Sequence, residues 1–414
     1  MKRVNVFALG LLVLGLWMGS VTPAGVGVAS VRAQETLRPE VGKPLQAAQE
    51  LMKAQKYKEA LAKIREADAV GGKTAYENYI LDRMRGSAAS GAGDTELAAK
   101  SFEAVINSGK LPEAEQIKTM EAVAGTFYRA KEYGKSVAWA QRYFKAGGNS
   151  ASMRTLLIQA QYLNGDYAEA AKALMDFVAA DEKAGRAPAE DHLQLLANCY
   201  LKLNDKTGYV TALEKLVIHH PKKEYWADLL ARIQRKPGFS DRLSLDVYRL
   251  MLATGNLREG GDFMEMAQLA LQAGLPAEAK KVVAEGFAKG VLGTGAEAER
   301  HKRLRDLANK QADDDRKTLA DDEKAAASGK DGEASVKVGY AFVTNGDFDK
   351  GIAMIEQGIA KGGLKRAEDA KLHLGMAYLQ AGNHAKAVQV LRGVTGTDGA
   401  ADLARLWIAQ GGRG

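Results

Sequence analysis

A short pattern recurs along nearly the whole chain, and it restricts the possible folds more than any other feature. Near the C-terminus, Leu374-Gly375-x-x-Tyr378 is followed by Gly382-Asn383-His384-Ala385-Lys386-Ala387 and then Leu391. Thirty-six residues earlier stand Val338-Gly339-x-x-Phe342, Gly346-Asp347-Phe348-Asp349-Lys350-Gly351 and Ile355. The frame returns at Gly165-Asp166-Tyr167-Ala168-Glu169-Ala170 with Leu174, at Lys131-Glu132-Tyr133 with Ser136, and at Gln55-Lys56-Tyr57-Lys58-Glu59-Ala60 with Ile64. Taking the turn as marker gives positions 55, 93, 131, 165, 204, 237, 274, 310, 346 and 382, spaced 33 to 39 residues apart. Positions 237 and 310 rest partly on interpolation; Trp226, Leu229 and Leu230 support the first, and almost nothing supports the second. A unit of this length cannot bury an apolar face alone, so stacked neighbours must supply the core.

The residue types suit two antiparallel helices per unit. Small residues at Ala60, Ala170, Gly339, Gly375 and Ala387 let backbones approach where helices cross, and Tyr378 fills the space beside them. Glycine at the marker serves the left-handed turn, because it has no Cβ to clash at positive φ. The composition agrees with a helical chain: 46% hydrophobic and 26% charged residues, 44 Gly and only 8 Pro in 414 residues.

This arrangement resembles the tetratricopeptide repeat family from Val41 to about Val394, strongly in the units at 165 and 382 and weakly at 93, 237 and 310. The resemblance implies an all-α, right-handed superhelical solenoid of about ten helix-turn-helix repeats, acting as an interaction module. The start Arg38-Pro39-Glu40-Val41-Gly42-Lys43-Pro44 is also similar to that of exported proteobacterial repeat proteins.

The first 33 residues read as an export signal. Met1-Lys2-Arg3 is a positive head, Val4 to Met18 an apolar run, and Val31-Arg32-Ala33 precedes a turn to polar composition. Cleavage is expected after Ala33, with Ala24 and Ala29 as rivals, and the alternative is an uncleaved anchor over Val4 to Val28. The expected location is the periplasm. Membrane contact is expected only through that segment, if it is kept. The formal charge is +7, and +4 without Lys2, Arg3 and Arg32, which is too mild for a nucleic-acid partner. One cysteine, Cys199, excludes an intramolecular disulfide.

The expected organisation is a signal over 1–33, an array over 34–324, a flexible joint over 325–332 rich in Ala, Ser and Gly, and a C-terminal pair with a capping helix over 333–414. The charged stretch 296–324 reads as two solvated helices joining the halves; the other reading is a docking surface of opposite patches.

No constellation for catalysis stands out, and no cofactor or metal is expected. The chain has no G-x-S-x-G, phosphate loop or H-E-x-x-H motif. His219-His220 suits a helix end better than a metal, Asp313 to Asp315 lacks the Gly and Glu of a calcium loop, and Cys199 reads as a small core residue.

What the resemblance adds is a concave surface made by the first helix of each unit. In this register it comprises Lys118, Glu121, Tyr128 and Arg129; Thr155, Gln159 and Tyr162; Gln194, Asn198 and Lys202; then Gln234, Arg235, Gln268, Gln272 and Tyr340. Amides with interspersed tyrosines suit the backbone and side chains of an extended peptide. The clamp of paired Lys and Asn residues by which one subset of the family grips a C-terminal carboxylate is not supported, since Asn198 stands at a ninth position but Gln194 at the fifth. Two functions follow. One is a scaffold for a protein or peptide of the cell envelope, in a narrower form an accessory to a TonB-type or other envelope transport assembly. The other is a carrier or chaperone for a small molecule, glycan or unfolded chain.

Overall fold

The computed structural model describes residues 36–411, so the signal expected over 1–33 lies outside the described residues. Among the described residues there are twenty α-helices, one short 3-10 turn and no strand. The chain divides into two compact units, one up to Thr119 and one from Met120 onward.

The first unit contains two hairpins, α1 (Pro39–Lys53) with α2 (Tyr57–Asp68) and α3 (Ala75–Ala92) with α4 (Thr95–Asn107). Pro39 opens α1, where a missing N–H costs nothing. Thr74 and Glu77 form a capping box at the start of α3. Glu77 is wholly buried and also takes Arg38 Nε at 2.9 Å and Arg38 N at 3.0 Å, which fastens the start of α1 to α3. The hydrogen bond from Arg38, with the backbone bond from Thr74, holds the Glu77 carboxyl down at about 2.

α5 (Glu113–Arg129) carries the division between units within it. The second unit continues with α6 (Tyr133–Lys145), α7 (Ala151–Asn164), α8 (Tyr167–Lys183), α9 (Glu190–Lys202) and α10 (Lys206–His219). α11 (Lys223–Ile233) and α12 (Ser244–Ala253) are joined by a longer link holding the 3-10 turn. Then come α13 (Gly260–Gln272), α14 (Pro276–Ala288), α15 (Ala298–Ala327), α16 (Glu333–Asn345), α17 (Phe348–Lys361), α18 (Ala367–Gln380), α19 (His384–Arg392) and α20 (Ala400–Gly411).

Nine of the ten expected turns fall between helices. Three markers that are not glycine also turn left-handed, Gln55 (φ 61°), Lys131 (φ 63°) and Asn204 (φ 56°), and beside the marker Pro237 it is Gly238 that does so (φ 84°). The tenth, at 310, is corrected: position 310 lies inside α15, one 30-residue helix where a pair was expected. Its buried residues His301, Leu304, Ala308, Ala312, Leu319 and Ala326 run as one stripe through that point, with no Gly or Pro to stop it. The described repeats therefore number nine, with α11 and α12 the loosest pair.

The joint expected over 325–332 is tied on several sides. Gly332 N donates to Gly362 O at 2.8 Å, Lys361 Nζ to Gly329 O, and Ser335 Oγ to Ala326 O at 3.5 Å. Any Cβ on Gly332 would lie 1.8 Å from Gly358 O, so α16 starts in backbone contact with α17. The two compact units divide at 119/120.

The small residues expected at helix crossings are buried. Ala60, Ala170 and Ala387 have no exposed surface, and Tyr378 is buried in one cluster with Ala387. A Cβ on Gly339 would meet Gly351 O at 2.8 Å, whereas one on Gly375 would meet only the Leu391 side chain.

The second unit closes on itself at its C-terminal end. α20 packs on α10 and α12 as well as α18 and α19, burying Leu403, Leu406 and Trp407 in one core with Leu229, Val247 and Leu372. Ion pairs edge the seam: Lys236 to Asp402 at 2.8 Å, and Arg242 to Asp369 at 2.8 Å and Asp398 at 2.6 Å. α20 is therefore a clasp between distant repeats as well as a cap on the last.

Candidate partner-binding face

Three successive first helices, α5, α7 and α9, line a groove of about 280 Å³. The hairpin geometry brings them side by side, and the residues three before each turn, Tyr128, Tyr162 and Leu201, make equivalent rungs. Four expected residues meet here: Tyr128, Thr155, Gln159 and Tyr162. Tyr128 OH donates to Gln159 Oε1 at 3.2 Å across the two helices. Tyr162 is held edge-on by Tyr167 at 5.4 Å and Tyr128 by Tyr133 at 5.7 Å, so both rings are fixed before any partner arrives. Burial, with Tyr133 alongside, pushes the Tyr128 phenol above its usual range, and it stays a neutral donor.

Sequence reasoning missed the other lining residues, Ile158, Leu163, Asp191, His192 and Leu195. Leu163 is 47% exposed, so the groove has an apolar lip that water does not favour, and Leu201, outside the groove on the neighbouring hairpin, is 55% exposed. His192 leans on Phe177 at 5.5 Å. Asp191 and His192 gave no signal, since they sit outside the positions the resemblance transfers.

The remaining expected residues do not gather at this groove. Arg129 Nη2 donates to Thr126 at 3.1 Å, and Lys202 and Asn198 are exposed farther along. Gln194 is engaged, donating to Glu190 at 3.2 Å and to Tyr225 OH. Lys118 is exposed in the first unit and Glu121 half-buried in the second. Gln234 and Arg235 lie just past the end of α11, and Gln268 and Gln272 lie on α13.

Tyr340 is corrected. It is 3% exposed rather than part of a surface, enclosed in one core with Leu245 of α12 and Leu374 of α18. Its ring lies 4.8 Å from His373 and 4.9 Å from the Arg249 guanidinium, and its hydroxyl has no partner among the described residues. Arg249 is itself buried, pairing with Asp246 and Glu278 at 2.6 Å each, and His373 Nε2 lies 3.0 Å from Asp246. Burial would raise the Asp246 carboxyl, but His373 and Arg249 bring it down to about 2. This cluster is an internal fastening, with no open surface for a partner.

Cys199 is fully buried, and burial pushes its thiol up to about 11, so it is protonated at neutral pH. His219 Nε2 lies 3.0 Å from Glu182, which also takes Lys215 at 2.8 Å. No group of three or more His, Cys, Asp or Glu able to hold a metal occurs among the described residues, and no helix there is long and apolar enough to cross a membrane.

Comparison with known proteins agrees with this geometry. Two family profiles, both described as tetratricopeptide repeat, match residues 193–223 and 338–404. The first span falls on the α9–α10 hairpin and the second on α16 to α20. No curated protein matches significantly. Among solved structures, the chain is similar to a complex of the yeast Sti1 TPR2AB domain with pHSP90, at 14% identity over 72% of this chain and 99% of that one (TM-score 0.24). It is also similar to yeast Tom70, at 11% identity over 90% and 95% (TM-score 0.24), and to the P58(IPK) TPR domain, at 14% over 89% and 97% (TM-score 0.22). At such scores the likeness carries nothing about partners.

Proposed function

From the premise that this is a tetratricopeptide repeat protein, we propose that it is an exported, non-catalytic scaffold that docks one protein or peptide of the cell envelope on the α5–α7–α9 face. The observation that carries the reading is the groove: fixed tyrosines, an inter-helix Tyr128–Gln159 bond and an exposed Leu163 lip in one place. Rigid aromatic anchors limit the entropy lost on binding, and the Thr155, Gln159 and Tyr128 polar atoms suit a peptide backbone. Export rests on the pattern of residues 1–33, and a narrower form of the proposal is an accessory to a TonB-type or other envelope transport assembly.

Affinity purification of the tagged chain from envelope extracts tests the docking. A single stoichiometric protein retained by the wild type and lost with the double change Tyr162→Ser and Leu163→Ser supports it. A heterogeneous load unaffected by that change would favour the carrier reading. A reporter fused after residue 40, active only outside the inner membrane, tests export separately.

A further inference from the structure

A second cavity belongs to the first unit. It lies between α2, α3 and α4, two of which are second helices, and its volume is about 350 Å³, within the range of small-molecule sites. Its walls divide into an apolar floor and a charged rim. Leu61, Ile64 and Leu97 supply the floor.

The charges on the rim do not cancel locally. Asp68 and Asp82 are both taken by Arg85, at 2.7 Å each. Asp82 is half-buried, and burial raises its carboxyl, which leaves the arginine as its main compensation. Arg65 and Lys100 also line the cavity, and neither has an ion pair among the described residues. The uncommitted charge of the site is therefore positive.

One further group points to a ligand. Ser101 lines the same cavity and is 2% exposed, and its hydroxyl has no hydrogen-bond partner among the described residues. A helical serine ordinarily bonds a carbonyl one turn back, and an orphaned buried hydroxyl is costly. A ligand acceptor reaching the floor would satisfy it.

We infer that the α2–α3–α4 cavity binds a small organic monoanion with an apolar body, its anionic group held by Arg65 and Lys100 and its acceptor oxygen taken by Ser101. The site shares no lining residue with the partner-binding face. A cationic ligand is disfavoured because both carboxylates are already paired, and a neutral one leaves the two cations unused.

Methyl-resolved NMR of the full chain tests this with three matched probes: hexanoate, hexylamine and hexan-1-ol. Hexanoate is expected to saturate shifts of the Leu61, Ile64 and Leu97 methyls, with at least tenfold weaker binding in Arg65→Glu/Lys100→Glu and about threefold weaker in Ser101→Ala. Both charge changes are on exposed side chains, and Lys100→Gln is the milder second variant, expected to weaken hexanoate severalfold while leaving the spectrum folded. Equal binding of hexanoate and hexan-1-ol, stronger binding of hexylamine, or no saturation by 20 mM hexanoate would each overturn the proposal.

Discussion

Exchanging the turn residues of two neighbouring hairpins, Lys131 and Gly165, should change stability in opposite directions by equal amounts. Both residues occupy the left-handed turn, at φ 63° and 92°. Both turns close with the same two bonds, Lys131 N to Tyr128 O (3.0 Å) with Glu132 N to Phe127 O (2.9 Å), and Gly165 N to Tyr162 O (3.2 Å) with Asp166 N to Gln161 O (2.8 Å). A Cβ on Gly165 would meet nothing within 4 Å, so backbone strain is the only local cost of a side chain there. That strain is about 1–2 kcal/mol for an L residue. Against it stands the freedom glycine adds to the unfolded chain, about 0.4–1 kcal/mol. Lys131→Gly should therefore stabilise by about 0.5–1 kcal/mol, and Gly165→Lys should cost as much. Urea unfolding followed by circular dichroism reads both, with an unchanged slope showing that only stability moved. A loss of stability in Lys131→Gly, or none in Gly165→Lys, would refute the turn argument.

Three other outcomes follow from the same physics. Gly339→Ala should cost about 2–3 kcal/mol by overpacking, because its Cβ would press on the Gly351 backbone, and Gly375→Ala should cost less, because the Leu391 side chain can move; thermal melts compare them. Tyr340→Phe should leave stability unchanged or raise it by about 1 kcal/mol, since it removes an unpartnered buried hydroxyl and keeps the ring contacts to His373 and Arg249; a clear loss would mean the hydroxyl has a partner. Asp246, held down at about 2, contributes stability that is complete above its unfolded value near 4 and is lost as the pH falls toward 2, by about 2 kcal/mol. The acid limb of a stability-against-pH curve should therefore be shallower in Asp246→Asn, and parallel limbs would contradict this.

The repeat was legible because each hairpin writes its own turn, aromatic and small residue within one local stretch. Even Lys131 and Gln55, which lack the expected glycine, kept the turn because their neighbours fixed the register. Position 310 failed for the converse reason. Interpolation carried the period into a segment whose own residues form one uninterrupted stripe, and local pattern prevailed over the average spacing. The C-terminal closure left no periodic trace, since its contacts join Arg242 to Asp369 and Lys236 to Asp402, far apart in sequence. Tyr340, in a register position that faces outward elsewhere, is enclosed in one core with Leu245 and Leu374. For the groove, the transferred positions found the tyrosines and Gln159, but the lip at Leu163 and the flank at Asp191 and His192 depend on how α7 and α9 sit together.

In-cell photo-crosslinking from position 162, in place of Tyr162, tests the docking claim most directly, with position 316 on the exposed side of α15 as control and mass spectrometry as readout. The groove account predicts one envelope protein captured from position 162 and not from position 316. Equal capture from both positions, or capture of abundant exported proteins alone, would contradict a specific partner on the α5–α7–α9 face.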